Sequence, residues 1–323
     1  MSDSHSASIT RRPERVKAWR TLTPDQIRRP ARPRRGGPVT PRELGRNGRE
    51  RSAGAAGPVA PDGRFCWDAV MAPLAHSALY DSIGVGYAAA RREDPRWRAA
   101  ILDALGASSP VLNVGAGAGS YEPDDRFVVA LDPSSEMLSQ RPEGAAPCVL
   151  GVAEHLPAAD GAFGAAMGVL TVHHWPDWRR GLAELRRVAE RQVLLATDTE
   201  RLAQFWLARD YAPELAAYER RQTTAAEVAA ELGTEDVRVM WMPHDFTDAV
   251  YPAFWRRPEA FLEQGLWRHS SALAKLEPEV RRRAMTRLAA DLEDGTWHAR
   301  NAELMERADF DAGFRLVVSR RDS

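Results

Sequence analysis

The 323-residue sequence predicts an α/β fold, a mostly parallel sheet covered by helices, and two observations carry that expectation. Apolar runs of strand length alternate with helix-patterned stretches between about residues 98 and 200, the signature of successive βαβ units. The runs are apolar at nearly every position rather than every second one, as strands covered on both faces require.

Ala99, Ala100, Leu102 and Leu105 predict a helix that stops near Gly106. Val111–Val114 reads as a short buried strand opening into glycines, and Phe127–Leu131 as a second that ends at Asp132. Pro147–Leu150, Phe163–Leu170 and Gln192–Ala196 read as further buried strands. A helix from Trp178 to Val188, with Leu182, Leu185 and Val188 on one face, separates the last two. After Thr199 the pattern turns mostly helical. Thr224 and Glu227 form a capping-box pair ahead of Val228 and Leu232, with Gly233 as the stop. Val237–Trp241 predicts a strand. Val280, Ala284, Leu288 and Leu292, followed by Gly295, predict an amphipathic helix, and Phe314–Val318 a last strand.

Residues 1–62 read differently. Arg, Pro and Gly recur there without apolar periodicity, as in RRPARPRRGGP, so the segment cannot bury enough surface to offset its ordering entropy and is expected to be a disordered tail. Residues 1–60 hold 14 Arg or Lys against 5 acids, whereas the remainder holds 30 against 40. A basic tail on an acidic body admits two readings, a solvated linker or an electrostatic footprint for nucleic acid. Composition at 44% hydrophobic and 28% charged is that of a soluble globular protein. The longest apolar stretch, Gly161–Val172, falls short of the ~18 residues of a membrane span. No apolar secretory segment follows Met1, and Cys66 and Cys148 are the only cysteines, so a cytoplasmic protein without a disulfide framework is expected. The histidines show no metal-ligand spacing, so no metal is expected.

The chemical signal lies in Val111-Leu-Asn-Val-Gly-Ala-Gly-Ala-Gly119. A buried strand running into alternate glycines lets backbone approach a ligand beyond the strand's carboxyl end. Asp132, at the end of the next strand, can accept both hydroxyls of a ribose, so a nucleoside-containing ligand is expected. A dinucleotide is poorly supported: Ser120 occupies the third glycine's place, and Pro123 leaves room for about one turn of the helix that would face a pyrophosphate.

With these pieces in place the sequence resembles the class I S-adenosylmethionine-dependent methyltransferases, in particular the small-molecule group that includes the ubiquinone and menaquinone biosynthesis methyltransferases. The matching segments are VLNVGAGAG, FVVALDPSSEML, GVAEHLPAADGAFG and MGVLTVHHWPDWRRGLAELRRV, across about residues 80–200. The resemblance implies a Rossmann-like seven-stranded sheet with an antiparallel last strand, a domain spanning residues 63–323, and helical insertions after residue 200 forming a lid. It implies a cofactor site of Tyr87, Arg91, Gly115, Ala116, Gly117, Gly119, Asp132, Pro133, Met137, Ala153, Glu154 and Leu170. Asp132 would bind the ribose and the Ala153 N–H the adenine. Val152 stands where the family usually has an adenine-binding Asp, and Gly164 where it usually has Asp.

The implied acceptor side begins at His173 and His174, after the fourth strand. A neutral imidazole there can take a proton from an attacking hydroxyl or amine, or the pair only shapes the pocket. Trp175 is the neighbouring candidate. Downstream, Trp241, His244, Asp245, Tyr251, Phe254 and Trp255 crowd near the sixth strand, where aromatic density walls an acceptor pocket or forms satellite core; His244, Asp245 and Trp255 are taken as the substrate candidates with Trp175. Tyr80 belongs to the family-like N-terminal cap that also holds Tyr87 and Arg91. Asn-Pro-Pro-Tyr is absent after the fourth strand, which argues against a nucleobase amine as acceptor. The expected activity is methyl transfer from S-adenosylmethionine to O, N or C of a small organic molecule. The alternatives are a non-catalytic binding protein of the same fold and an RNA methyltransferase using the basic tail.

Overall fold

A computed structural model describes residues 92–263, 265–268 and 270–321. The expected tail, the cap residues Tyr80, Tyr87 and Arg91, and Cys66 lie outside the described residues.

Helix α1 (Pro95–Leu105) leads into β1 (Val111–Val114) and β2 (Val128–Asp132). Short α2 (Ser135–Ser139), β3 (Cys148–Leu150), β4 (Phe163–Val169), α3 (Trp178–Val188) and β5 (Ala189–Thr197) follow. Next come α4 (Thr199–Ala203), a π-helical turn at Leu207–Tyr211, α5 (Pro213–Glu219), α6 (Ala225–Leu232), β6 (Val237–Val239) and β7 (Met242–Pro243). Tight turns precede α7 (Ser271–Ala274), α8 (Pro278–Glu293), α9 (Thr296–Arg300) and α10 (Ala302–Met305), and β8 (Asp309–Phe310) and β9 (Phe314–Arg320) close the chain.

Among the described residues seven strands form one sheet in the order β3-β2-β1-β4-β5-β9-β6. All run parallel except β9, which is antiparallel to both β5 and β6. The antiparallel strand is the last in sequence but sits inside the sheet, and β6 is the edge. β7 and β8 make a separate two-stranded ribbon.

The continuous apolar runs are explained by the sheet's two covered faces. Val193 and Leu195 of β5 belong to one core and Leu194 to the other, because successive side chains of a strand leave opposite faces. The second core takes Leu182, Leu185 and Val188 of α3 and Val228 and Leu232 of α6. The first merges with the helical region after β5, where Trp206, Trp255, Trp267 and Trp297 are all buried. α6 starts at the Thr224–Glu227 capping box and ends at Gly233 with φ +63°.

Two local differences from the sequence reading have physical causes. Between β1 and β2 there is no helix, only turns, since Pro123 lacks an N–H and Tyr121 takes φ +64°. The predicted strand Val237–Trp241 stops at Val239, and Trp241 is 54% exposed; its carbonyl leaves the ladder to accept from the Trp97 indole at 2.9 Å.

Candidate functional site

The glycine turn is built from the backbone outward. Gly115, Gly117 and Gly119 have φ of +68°, +50° and +102°, a region that a Cβ penalises. At Gly115 the need is also steric: a Cβ there would lie 1.9 Å from Thr171 Oγ1. The N–H groups of Gly115 and Ala116 both donate to the Leu131 carbonyl, at 2.8 and 3.0 Å, tying the turn to β2. At the end of β2, Asp132 accepts from Gly117 N–H through Oδ2 and from Ser134 N–H through Oδ1, each at 2.8 Å. Burial pushes its carboxyl above the ordinary range, opposed by those two N–H donors and by Arg141. Each carboxylate oxygen retains a second lone pair for a ligand hydroxyl. Pro133 follows directly, and Met137 of α2 reaches under the turn, its Cε 3.1 Å from where a Gly117 Cβ would stand.

Beneath the turn lies a buried polar group that the sequence reading missed. Arg141 pairs with Glu122 at 2.6 Å, and Asn113 of β1 donates to the other Glu122 oxygen at 2.9 Å. Arg141 Nε and Asn113 Oδ1 are buried without a hydrogen-bond partner among the described residues. The N–H of Ala153, a residue only 3% exposed, donates to none of the described residues. A cradle that a Cβ would fill, lined by unused buried donors and acceptors, fits a polar nucleoside ligand.

On the other side of β1, the chain leaves β4 through Leu170, which has φ +52°, an uncommon conformation for a residue with a side chain. Thr171 then backs Gly115 and accepts from the Trp175 indole at 3.1 Å. That indole packs on α3, 2.5 Å from where a Gly181 Cβ would be, so Gly181 is what admits Trp175. Thr171 thus joins the glycine turn to the rim holding the histidines, a coupling no sequence motif announces.

His173 and His174 share the 3-10 turn Val172–His174, half-buried, with ring centroids 3.9 Å apart. Burial, aided by the Lys275 charge, pushes His173 down to about 4, and His174 is lowered by burial, His173 and Lys275. Both rings are therefore neutral and weakly basic at neutral pH. Lys275 follows α7, and its ammonium donates to the Tyr218 hydroxyl at 2.9 Å.

The other candidates are dispersed. Glu154 accepts from Asp177 N–H at 3.2 Å near the α3 N-terminus. Asp245 pairs with Arg96 at 2.7 Å on the surface, and His244 N–H donates to the Ala308 carbonyl at 3.0 Å. Trp255 is fully buried and stacks on Phe310 with centroids 5.5 Å apart, so it packs as part of the first core. Phe254 lies under the Arg257 guanidinium at 4.7 Å. Among the described residues no group of His, Cys, Asp and Glu could share a metal ion, and no helix is long and apolar enough to cross a membrane.

Residues 112–197 match the family model described as a methyltransferase domain. A candidate methyltransferase from an antibiotic biosynthesis pathway of Anabaena variabilis ATCC 29413 is 28% identical, covering 71% of this chain and 98% of its own, with a TM-score of 0.66. A Thermotoga maritima S-adenosylmethionine-dependent methyltransferase is 16% identical over 51% of this chain and 82% of its own, at a TM-score of 0.37. One from Aquifex aeolicus is 21% identical over 53% and 93%, at 0.34. No curated protein matches the chain. Neither the family model nor the Anabaena relative singles out the quinone branch of the family. Sheet order and matched segment agree: residues 112–197 carry a methyltransferase domain, on a seven-stranded sheet of the kind found in the class I S-adenosylmethionine-dependent methyltransferases, whose cofactor is S-adenosylmethionine.

Proposed function

We propose that this chain transfers a methyl group from S-adenosylmethionine to an O, N or C atom of a small organic acceptor, releasing S-adenosylhomocysteine. The observation that carries the reading is the joint between the glycine turn and Asp132, where Gly117 N–H meets Oδ2 at 2.8 Å. Asp132 accepts the ribose hydroxyls on its remaining lone pairs, and the turn from Gly115 through Ala116 and Gly117 to Gly119 lies under the amino-acid portion. Asn113 Oδ1, left without a partner among the described residues, accepts from that portion's ammonium. The Ala153 N–H takes an adenine nitrogen, with Met137, Pro133 and Leu170 against the nucleoside and Glu154 at its edge. Tyr87 and Arg91 are proposed to close the site from the N-terminal side.

The bound cofactor supplies an electrophilic methyl on a sulfonium, so the protein's task is to hold the acceptor in line and exclude water. His173, His174 and Trp175 form the acceptor-side wall. A ring titrating near 4 is a poor proton acceptor at neutral pH, which suits the histidines to orienting the acceptor. His244 and Asp245 stand at the outer rim.

The test is transfer of labelled methyl from S-adenosylmethionine to a panel of small amines, phenols and carbon acids by the full chain. Transfer whose apparent affinity for S-adenosylmethionine falls in Asp132→Asn supports the reading. Tight S-adenosylhomocysteine binding with no transfer across the panel would favour the non-catalytic alternative.

A further inference from the structure

We infer that Glu219, held by Tyr251 beside Lys275, is the group of the lid that receives the protic N–H or O–H of the methyl acceptor; the inference rests on the methyltransferase reading. Glu219 ends α5 and is 5% exposed. Its Oε1 accepts from the Tyr251 hydroxyl at 3.1 Å, and no hydrogen bond from the described residues reaches Oε2. A carboxyl with one oxygen held by Tyr251 and the other unbonded and reaching solvent-accessible space keeps acceptor capacity for a ligand.

Its surroundings link it to the acceptor wall. Lys275 donates to Tyr218, the neighbour of Glu219, and acts electrostatically on Glu219 and on both His173 and His174. One exposed ammonium, bonded to the Tyr218 hydroxyl at 2.9 Å, thus bears electrostatically on both the histidine pair and the buried carboxyl. Three charged groups around α5 are paired elsewhere, Arg220 with Glu200 at 2.8 Å, Glu214 with Arg283 at 2.6 Å and Arg209 with Asp210 at 2.7 Å, and Arg221 follows at the exposed surface.

Burial pushes Glu219 up to about 7, against the pull of Tyr251 and Lys275, where a proton acceptor is best matched to neutral pH. As the acceptor's N or O lone pair forms its bond to the methyl carbon, the carbon–sulfur bond breaks with its pair going to sulfur. The acceptor's proton passes to Glu219 Oε2. The same oxygen, hydrogen-bonded to the incoming N–H or O–H, selects acceptors that carry one.

The experiment uses the full chain loaded with S-adenosylhomocysteine, with benzylamine and phenol as probes, read by the infrared stretch of the protonated carboxyl across pH. Wild type should lose a carboxyl band around pH 7, and Glu219→Gln should lack that band. A binding probe should lower the titration, the amine by forming an ion pair and the phenol by donating a hydrogen bond to the carboxylate, the amine by the larger amount. Tyr251→Phe removes a donor to the charged form, so its midpoint should move to higher pH; this readout does not depend on Glu219→Gln folding. With a transferable acceptor, Glu219→Gln should lower kcat by about 10²–10⁴ while S-adenosylhomocysteine affinity is unchanged. The inference is overturned if neither probe shifts the band in wild type, or if Glu219→Gln keeps wild-type turnover and pH profile. Failure of wild type to bind S-adenosylhomocysteine would instead overturn the methyltransferase reading.

Discussion

The cofactor side and the lid solve the same problem, burying polar groups, in opposite ways. Around the glycine turn the acid Asp132 is satisfied by backbone, through Gly117 and Ser134 N–H groups at 2.8 Å. In the helical region after β5 the acid Glu219 is held through one oxygen by a side chain, the Tyr251 hydroxyl at 3.1 Å, with Tyr251 part of a core of buried indoles and phenyl rings. Backbone donors are fixed by the path of the strands and survive sequence change, while side-chain donors hold only as long as both residues do. The first arrangement suits the proposed cofactor site, and the second the proposed acceptor site.

Gly115→Ala should separate the halves most sharply. Its Cβ would meet Thr171 Oγ1 at 1.9 Å from a φ of +68°, so the turn must rebuild, and S-adenosylhomocysteine affinity should fall by more than about 100-fold, the loss of several contacts at ~1–3 kcal/mol each. Gly144→Ala, at φ +85° with nothing within 4 Å, pays only the left-handed strain of ~1–2 kcal/mol and should bind normally by calorimetry. Undiminished affinity in Gly115→Ala would show that the close approach of Thr171 does not set the turn.

Stability against pH probes the lid. Glu219 titrates at about 7 in the fold against an ordinary 4.5, so between those values the folded state holds more protons and stability falls as pH rises, by at most about 3 kcal/mol. Glu219→Gln should remove that fall, and its melting temperature relative to wild type should be higher at pH 8 than at pH 5. His173 works in the other direction. Its titration near 4 against 6.5 means that the unfolded chain holds more protons between those values, so stability is lost as pH falls through that window. His173→Gln should recover part of the acid loss, and its kcat should drop less than about tenfold, below the 10²–10⁴ of a lost base. A larger drop would return the base role to the histidines.

The same contrast explains what could be read from the sequence. The alternate glycines, Asp132 and the apolar strand runs are local patterns, and local patterns survive into structure because each is demanded by one strand or one turn. Glu219, Lys275 and Tyr251 are separated in sequence by a lid whose packing no periodicity encodes, and nothing in AAYERRQ marks one glutamate as buried. Glu122 and Arg141 were invisible for the same reason: their pairing at 2.6 Å depends on two loops crossing beneath the turn. Trp255 shows the limit from the other side, since aromatic density reads alike whether it lines a pocket or, as here, fills a core.

The most direct test of the central claim is a calorimetric comparison of S-adenosylhomocysteine and NAD⁺ binding to wild type and to Asp132→Asn. The account predicts that wild type binds the first and not the second, and that Asp132→Asn weakens binding by the ~1–3 kcal/mol of lost ribose hydrogen bonds, about 10- to 100-fold, without a large drop in melting temperature. Undiminished S-adenosylhomocysteine affinity in Asp132→Asn, or measurable binding of NAD⁺ to wild type, would contradict it.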